Sequence, residues 1–137
     1  MFQIWCFTKK KIYLIDSQDA VYGNIAYDLA SLIDDVRIKT SRKLKDKIFK
    51  MYTKTNSSID QNKLKNDFEI LSVLRNLKVI GIFSRLAIRD GKKQYTKLIP
   101  YAWKMIEHRI SNNLFFKDLE KILNKYFSKK IRAKKWK

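Results

Sequence analysis

Ile15-Asp16-Ser17-Gln18-Asp19-Ala20, followed by Gly23 and then by Tyr27-Asp28-Leu29-Ala30, is the stretch on which the reading of the chain turns. Just before it, Ile12 to Ile15 are apolar between the Lys9-Lys10-Lys11 run and Asp16, the pattern of a short buried strand. Ser17 to Asn24 reads as a loop, with Gly23 as its natural turn residue. Ile25 to Val36 then reads as a helix. Ile25, Leu29, Leu32, Ile33 and Val36 share one face, and Asn24 is placed to cap it. A strand therefore delivers Asp16 into a loop, and the helix that follows carries Asp28 near its start. A carboxylate at a strand end is held by the backbone while its side chain stays free, which suits a hard cation that demands well-placed oxygen ligands.

Downstream the periodicity is helical throughout. Thr40 or Ser41 could cap a helix with the stripe Leu44, Ile48, Met51 and Tyr52, and Thr53 to Asn62 reads as a polar connecting loop. Leu64 to Arg89 is the longest segment. Phe68, Leu71, Leu74, Leu77, Ile80, Phe83 and Leu86 recur along it, and Ile70, Val73, Val79, Ile82 and Ile88 thicken the row, so most of its circumference is expected to be buried. Asp90-Gly91 stops it. Tyr95 to Ile110 reads as another amphipathic helix, kinked or shifted in its start by Pro100. A last helix carries Phe115, Leu119, Ile122, Leu123, Tyr126 and Phe127, and residues 129–137 read as a mobile basic tail. One strand cannot satisfy its own backbone groups. The inventory therefore reads as mainly α: a short N-terminal strand or hairpin with four to five packed helices, the back portion of something larger.

The Asp16 stretch resembles the aminoglycoside phosphotransferase superfamily, whose signature is Ile-Asp-Phe, a short loop with Gly, then Asp-Leu-Ala. Gln18-Asp19-Ala20 after the Asp is similar to one bacterial branch, the sugar anomeric kinases. The run Leu74-Arg75-Asn76-Leu77-Lys78-Val79-Ile80-Gly81-Ile82-Phe83-Ser84-Arg85-Leu86, closed by Arg89-Asp90-Gly91-Lys92, resembles the same branch. The resemblance covers about residues 12–100 and implies a truncated C-lobe of a protein-kinase-like fold over residues 1–128. It implies ATP and Mg²⁺ as cofactors and a small-molecule hydroxyl acceptor, a sugar in this branch. Asp16 falls on the metal-binding carboxylate. Gln18 and Asp19 are candidates to touch metal or substrate, Asp28 and Gly23 to brace the catalytic loop, and Arg75, Lys78 and Arg85 to line the acceptor pocket. Arg75, Lys78, Arg85 and Arg89 are also candidates for pairing with Asp34 and Asp35, because an uncompensated charge on a buried helix is costly. Ser17 departs from the usual Phe.

The resemblance also implies parts that are not found here: a nucleotide lobe with a phosphate-binding Lys, and a His-x-Asp-x-x-x-x-Asn catalytic loop. Only eleven residues precede Ile12, and His108 lies far downstream on an amphipathic helix. The expectation is a fragment inactive by itself, its missing lobe encoded separately or lost by a frameshift. Under one choice of codons Met1 to Phe7, read in another frame, gives Val-Ser-Asn-Met-Val-Phe, an Asn followed by apolar residues as at the end of such a loop.

Composition bounds the alternatives. The chain has 137 residues, 45% hydrophobic and 32% charged, with three Gly and one Pro, which excludes collagen-like and Pro/Gly-rich disordered classes. One cysteine, Cys6, excludes a disulfide scaffold, and with His108 the single histidine, a Cys/His metal site has almost nothing to draw on. The apolar N-terminus runs into lysines, the reverse of a signal peptide, and no apolar run approaches the ~20 residues that span a bilayer. The cytoplasm is the expected compartment. The net charge of +18 favours polyanionic partners but is spread along the whole chain, as general lysine bias would also spread it. A basic helical module for nucleic-acid binding or protein interaction is the alternative. No helix-turn-helix, zinc or RNA-recognition signature supports the first form of it.

Overall fold

The computed structural model of the chain describes residues 5–8, 11–14 and 22–134, and among these it is mainly helical. The backbone of β1 (Trp5–Thr8) pairs antiparallel with that of β2 (Lys11–Leu14), Trp5 opposite Leu14 and Thr8 opposite Lys11. Six α-helices follow among the described residues: α1 (Ala26–Ile33), α2 (Arg42–Thr55), α3 (Gln61–Arg89), α4 (Ile99–Ile110), α5 (Lys117–Tyr126) and α6 (Lys129–Ala133). Ile15, and with it Asp16, Ser17, Gln18 and Asp19, lies outside the described residues, as does much of the Met1–Phe7 stretch.

Local chemistry sets the helix ends. Asn24 Oδ1 accepts from the Ala26 N–H at 2.9 Å, so it does cap α1, one residue ahead of the formal cap position at Ile25. Of Thr40 and Ser41, Ser41 is the cap of α2, accepting from the Leu44 N–H at 3.3 Å. Asp60 accepts from the N–H groups of Asn62 and Lys63 and starts α3 three residues earlier than the apolar pattern does. Gly91 ends α3 with φ +64°, the left-handed conformation that glycine reaches without steric cost. Pro100 sits in the first turn of α4, where its missing N–H costs nothing, and Lys93–Leu98 ahead of it is a 3₁₀ segment. Pro100 thus shifts the start and makes no kink.

Several boundaries differ from the sequence pattern. α1 stops at Ile33 because Asp34 leaves helical geometry, and α2 runs to Thr55, which shortens the expected Thr53–Asn62 loop. The tail is not free: α6 folds back on α4, and Arg132 is 6% exposed. α3 does not bury most of its circumference. A row at steps of three slips back about 60° each step and circles the helix within about 18 residues. Leu74 and Ile88, members of the rows read from sequence, are accordingly 53% and 87% exposed. The row that stays buried moves in steps of three or four: Leu64, Phe68, Ser72, Arg75 with Asn76, Val79 and Phe83. The middle of that row is polar.

Two apolar clusters flank that middle. One joins Ala26, Leu29, Ala30 and Ile33 of α1 to Leu64 and Phe68 of α3, with Ile48, Phe49 and Tyr52 of α2 packed on it. The other joins Val79 and Phe83 of α3 to Ala102, Trp103 and Ile106 of α4, and reaches Phe116 and Leu123. No helix is long and apolar enough to cross a membrane among the described residues.

Candidate functional site

Four helices meet at one carboxylate. Asp34 caps the C-terminal end of α1 and is 1% exposed. One of its oxygens accepts from Lys45 Nζ of α2 at 2.8 Å, and the other from Arg109 Nη2 of α4 at 3.1 Å and from the Ser72 hydroxyl of α3. Its main-chain oxygen accepts from Arg75 Nη1 at 3.2 Å, while Arg75 Nε donates to the Ser31 hydroxyl at 2.9 Å. Arg75 thereby satisfies groups at the last turn of α1, where the helix dipole favours a cation. The Arg109 guanidinium also lies 4.7 Å from the centre of the Phe68 ring. Ser72 is tied into α3 as well, its carbonyl accepting from Asn76 Nδ2 at 2.9 Å.

Charge balance explains why such a node can be buried. Burial works to raise the Asp34 carboxyl, but the Arg109 guanidinium, the Lys45 ammonium and the Ser72 hydroxyl outweigh it and hold the group below its ordinary 3.8. Burial lowers the Arg75 pKa from its usual value, against the pull of Asp35, Tyr27 and Asp34. Asp35 is held below 3.8, burial being outweighed by the forked bonds from Arg37. Burial, with Arg109 and Arg42 nearby, lowers His108 from 6.5, so it is neutral at pH 7. The Asp34 carboxylate is engaged on both oxygens, and the chemistry of the node is that of a structural clasp.

The residues singled out in the sequence are distributed unevenly around it. Arg75 is buried in the node, where it bonds the main-chain oxygen of Asp34 and not the carboxylate of Asp34 or Asp35 that the charge argument anticipated. Lys78 and Arg85 are exposed on α3, and Arg89 pairs with Asp90 at the helix end. Arg75 is thus taken up in the node, while Lys78 and Arg85 stay exposed. Asp28 is exposed in the first turn of α1 and takes no hydrogen bond from the described residues. Gly23, expected to answer a backbone requirement, has no left-handed φ, and a Cβ there would meet nothing within 4 Å. Asp16, Gln18 and Asp19 lie outside the described residues. Among those residues no three His, Cys, Asp or Glu side chains gather as a metal site. Sequence reasoning missed Lys45, Ser72 and Arg109. The polar interruption Ser72, Arg75 and Asn76 in the four-step row of α3 could have found Ser72, whereas Lys45 and Arg109, on α2 and α4, carry no local signal.

Comparison with known proteins places this helical bundle beside one class of enzyme, the small-molecule kinases. No family model matches the chain. Among curated proteins it is 30% identical over 97 residues to an N-acetylmuramate/N-acetylglucosamine kinase of Caulobacter vibrioides, covering 71% of this chain and 27% of that protein. It is 36% identical over 99 residues to the protein of the same name from Neisseria meningitidis serogroup B, covering 68% and 30%. A third, from Pseudomonas aeruginosa, is 29% identical over 116 residues, covering 80% of this chain and 34% of that protein. The chain thus spans about a third or less of the length of the curated relatives it matches.

Proposed function

We propose that the chain forms the C-terminal, acceptor-side part of an ATP-dependent sugar phosphotransferase of the aminoglycoside phosphotransferase type. The observation that carries this reading is its similarity to N-acetylmuramate/N-acetylglucosamine kinases from three bacterial genera, over roughly 70–80% of the chain. The Asp16 stretch and the Leu74–Lys92 run support it as well, because both resemble the sugar-kinase branch and stand in its order. In this reading Asp16 would hold Mg²⁺, with Gln18 and Asp19 beside it, and the ion would neutralise charge on the ATP phosphates. Asp28 and Gly23 would brace the catalytic loop. With Arg75 engaged at Asp34, the exposed cations Lys78 and Arg85 are the ones left to face an acceptor. The Asp34 clasp would keep α1, and the loop leading into it, fixed against α3 and α4, since phosphoryl transfer depends on positioning.

The test is a chimera in which residues 12–100 replace the matching segment of the Caulobacter vibrioides kinase. Sugar phosphate should form from N-acetylglucosamine, ATP and Mg²⁺. A folded chimera without sugar-dependent ATP consumption, beside an active parent, would overturn the reading.

A further inference from the structure

α5 carries a surface to which the kinase reading gives no role. The helix is amphipathic, yet Leu123 is the only one of its residues that the fold buries. Phe115, in the 3₁₀ turn Leu114–Phe116 that leads into α5, begins a row that continues with Leu119, Ile122 and Tyr126. Steps of four, three and four keep this row on one face, the seam pattern of two helices packed side by side. Leu119 is half-buried against the neighbouring cluster. The other three are open: Phe115 is 68%, Ile122 54% and Tyr126 64% exposed. Large apolar side chains left open in one row and rimmed by charge mark an interaction surface.

The rim says what fits it. Asp118 and Lys125 each precede a member of the row, Leu119 and Tyr126, and residues seven apart share one side of a helix. Both are exposed. Asp118 meets only Lys121 of its own helix, at 3.0 Å, and Lys125 Nζ lies 5.3 Å from the centre of the Tyr126 ring. One flank of the row is therefore acidic at its N-terminal end and basic at its C-terminal end. We propose that this face pairs with a second copy of the chain, α5 against α5 in antiparallel order about a two-fold axis. Reversal brings each Asp118 to Lys125 of the other copy, with Leu119 across from Ile122 and Phe115 across from Tyr126. A parallel copy would keep the two charges apart, and a partner of uniform charge would answer one and oppose the other. The seam is about three turns long, so the dimer is weak and reversible. The +18 charge of each copy opposes it, and at about 0.15 M ionic strength a Debye length of about 8 Å confines that repulsion.

Sedimentation equilibrium of the full chain at that ionic strength, from about 10 µM to 1 mM, should show monomer passing reversibly into dimer. Ile122→Glu should weaken the dimer about tenfold or more, because it sets a charge in the middle of the seam. Leu74→Glu, at a similarly exposed apolar position on α3, should leave it unchanged. Asp118→Lys and Lys125→Asp, both at exposed positions that spare the fold, should each weaken it about fivefold, since like charges then face each other. The double variant exchanges the two charges and should return to within about twofold of the parent. A chain that stays monomeric over the whole range, leaving the row to a different protein, would overturn the proposal. So would association unchanged by Ile122→Glu, or a double variant no tighter than either single one.

Discussion

Replacing Asp34 by Asn tests the clasp with almost no change of shape. The carboxylate side chain is 2% exposed and engages Lys45 and Arg109, whose side chains are 13% and 18% exposed. Removing one partner of a buried ion pair costs about 3–5 kcal/mol, because the charge left behind has lost both its partner and its water. Here both cations keep some access to solvent, and Asn retains an oxygen for Ser72, so the lower end, about 3 kcal/mol, is expected for Asp34→Asn. That is a large part of a total stability of about 5–15 kcal/mol. Urea unfolding followed by far-ultraviolet circular dichroism should show the midpoint falling by about 2 M for a slope near 1.5 kcal/mol/M. Lys45→Met, which leaves Asp34 with Arg109 and Ser72, should cost less, about 1–1.5 kcal/mol. The double variant should fall short of the sum by about 1 kcal/mol or more, since the two side chains share one interaction. A cost below about 1 kcal/mol for Asp34→Asn, or strict additivity with Lys45→Met, would refute the clasp.

Acid should act through the same group. The folded pKa of Asp34 lies below 3.8, so its contribution to stability is complete above the unfolded value of 3.8 and is lost as pH falls from there through the folded pKa. The stability curve of Asp34→Asn should be flatter than that of the parent below pH 3.8, measured by denaturation across pH. Gly91→Ala should cost about 1–2 kcal/mol, because φ +64° is strained for any residue with a Cβ. Gly23→Ala should leave thermal stability unchanged or raise it by about 0.5 kcal/mol. Phe83→Ala should cost about 3–5 kcal/mol, whereas Leu74→Ala, half exposed on the same helix, should cost less than about 1 kcal/mol in the same assay.

The helical character of the chain was legible because five amphipathic segments carry their own stops and caps, among them Asn24, Ser41 and the Asp90-Gly91 end of α3. Pro100 was legible as a disturbance, and first-turn geometry decided that it moves a boundary and bends nothing. The register of α3 was not legible. Apolar residues at steps of three are dense on it, while the face that packs carries Ser72, Arg75 and Asn76, and an apolar template discards such residues. Their burial is made tolerable by Asp34, Lys45 and Arg109, and side-chain partners from three other helices leave no mark in local sequence. α6 was hidden for a related reason. Lys129 to Ala133 carries one large apolar residue, Ile131, which is itself half exposed, and the anchor is the stem and guanidinium of Arg132 over Trp103. The Asp16 stretch remains the strongest functional signal in the sequence, carried by residue order and not by packing.

The central claim is the phosphotransferase reading, and Asp16 bears it most directly. In the chimera with the Caulobacter vibrioides kinase, turnover of N-acetylglucosamine with ATP and saturating Mg²⁺ should fall by about 10²–10³ on Asp16→Asn, the scale set by losing one electrostatic contact to a transition state. The thermal midpoint should hold, which separates loss of metal from loss of fold. Turnover within about threefold of the parent chimera, worth only about 0.7 kcal/mol of barrier, would contradict the assignment of Asp16 and the reading built on it.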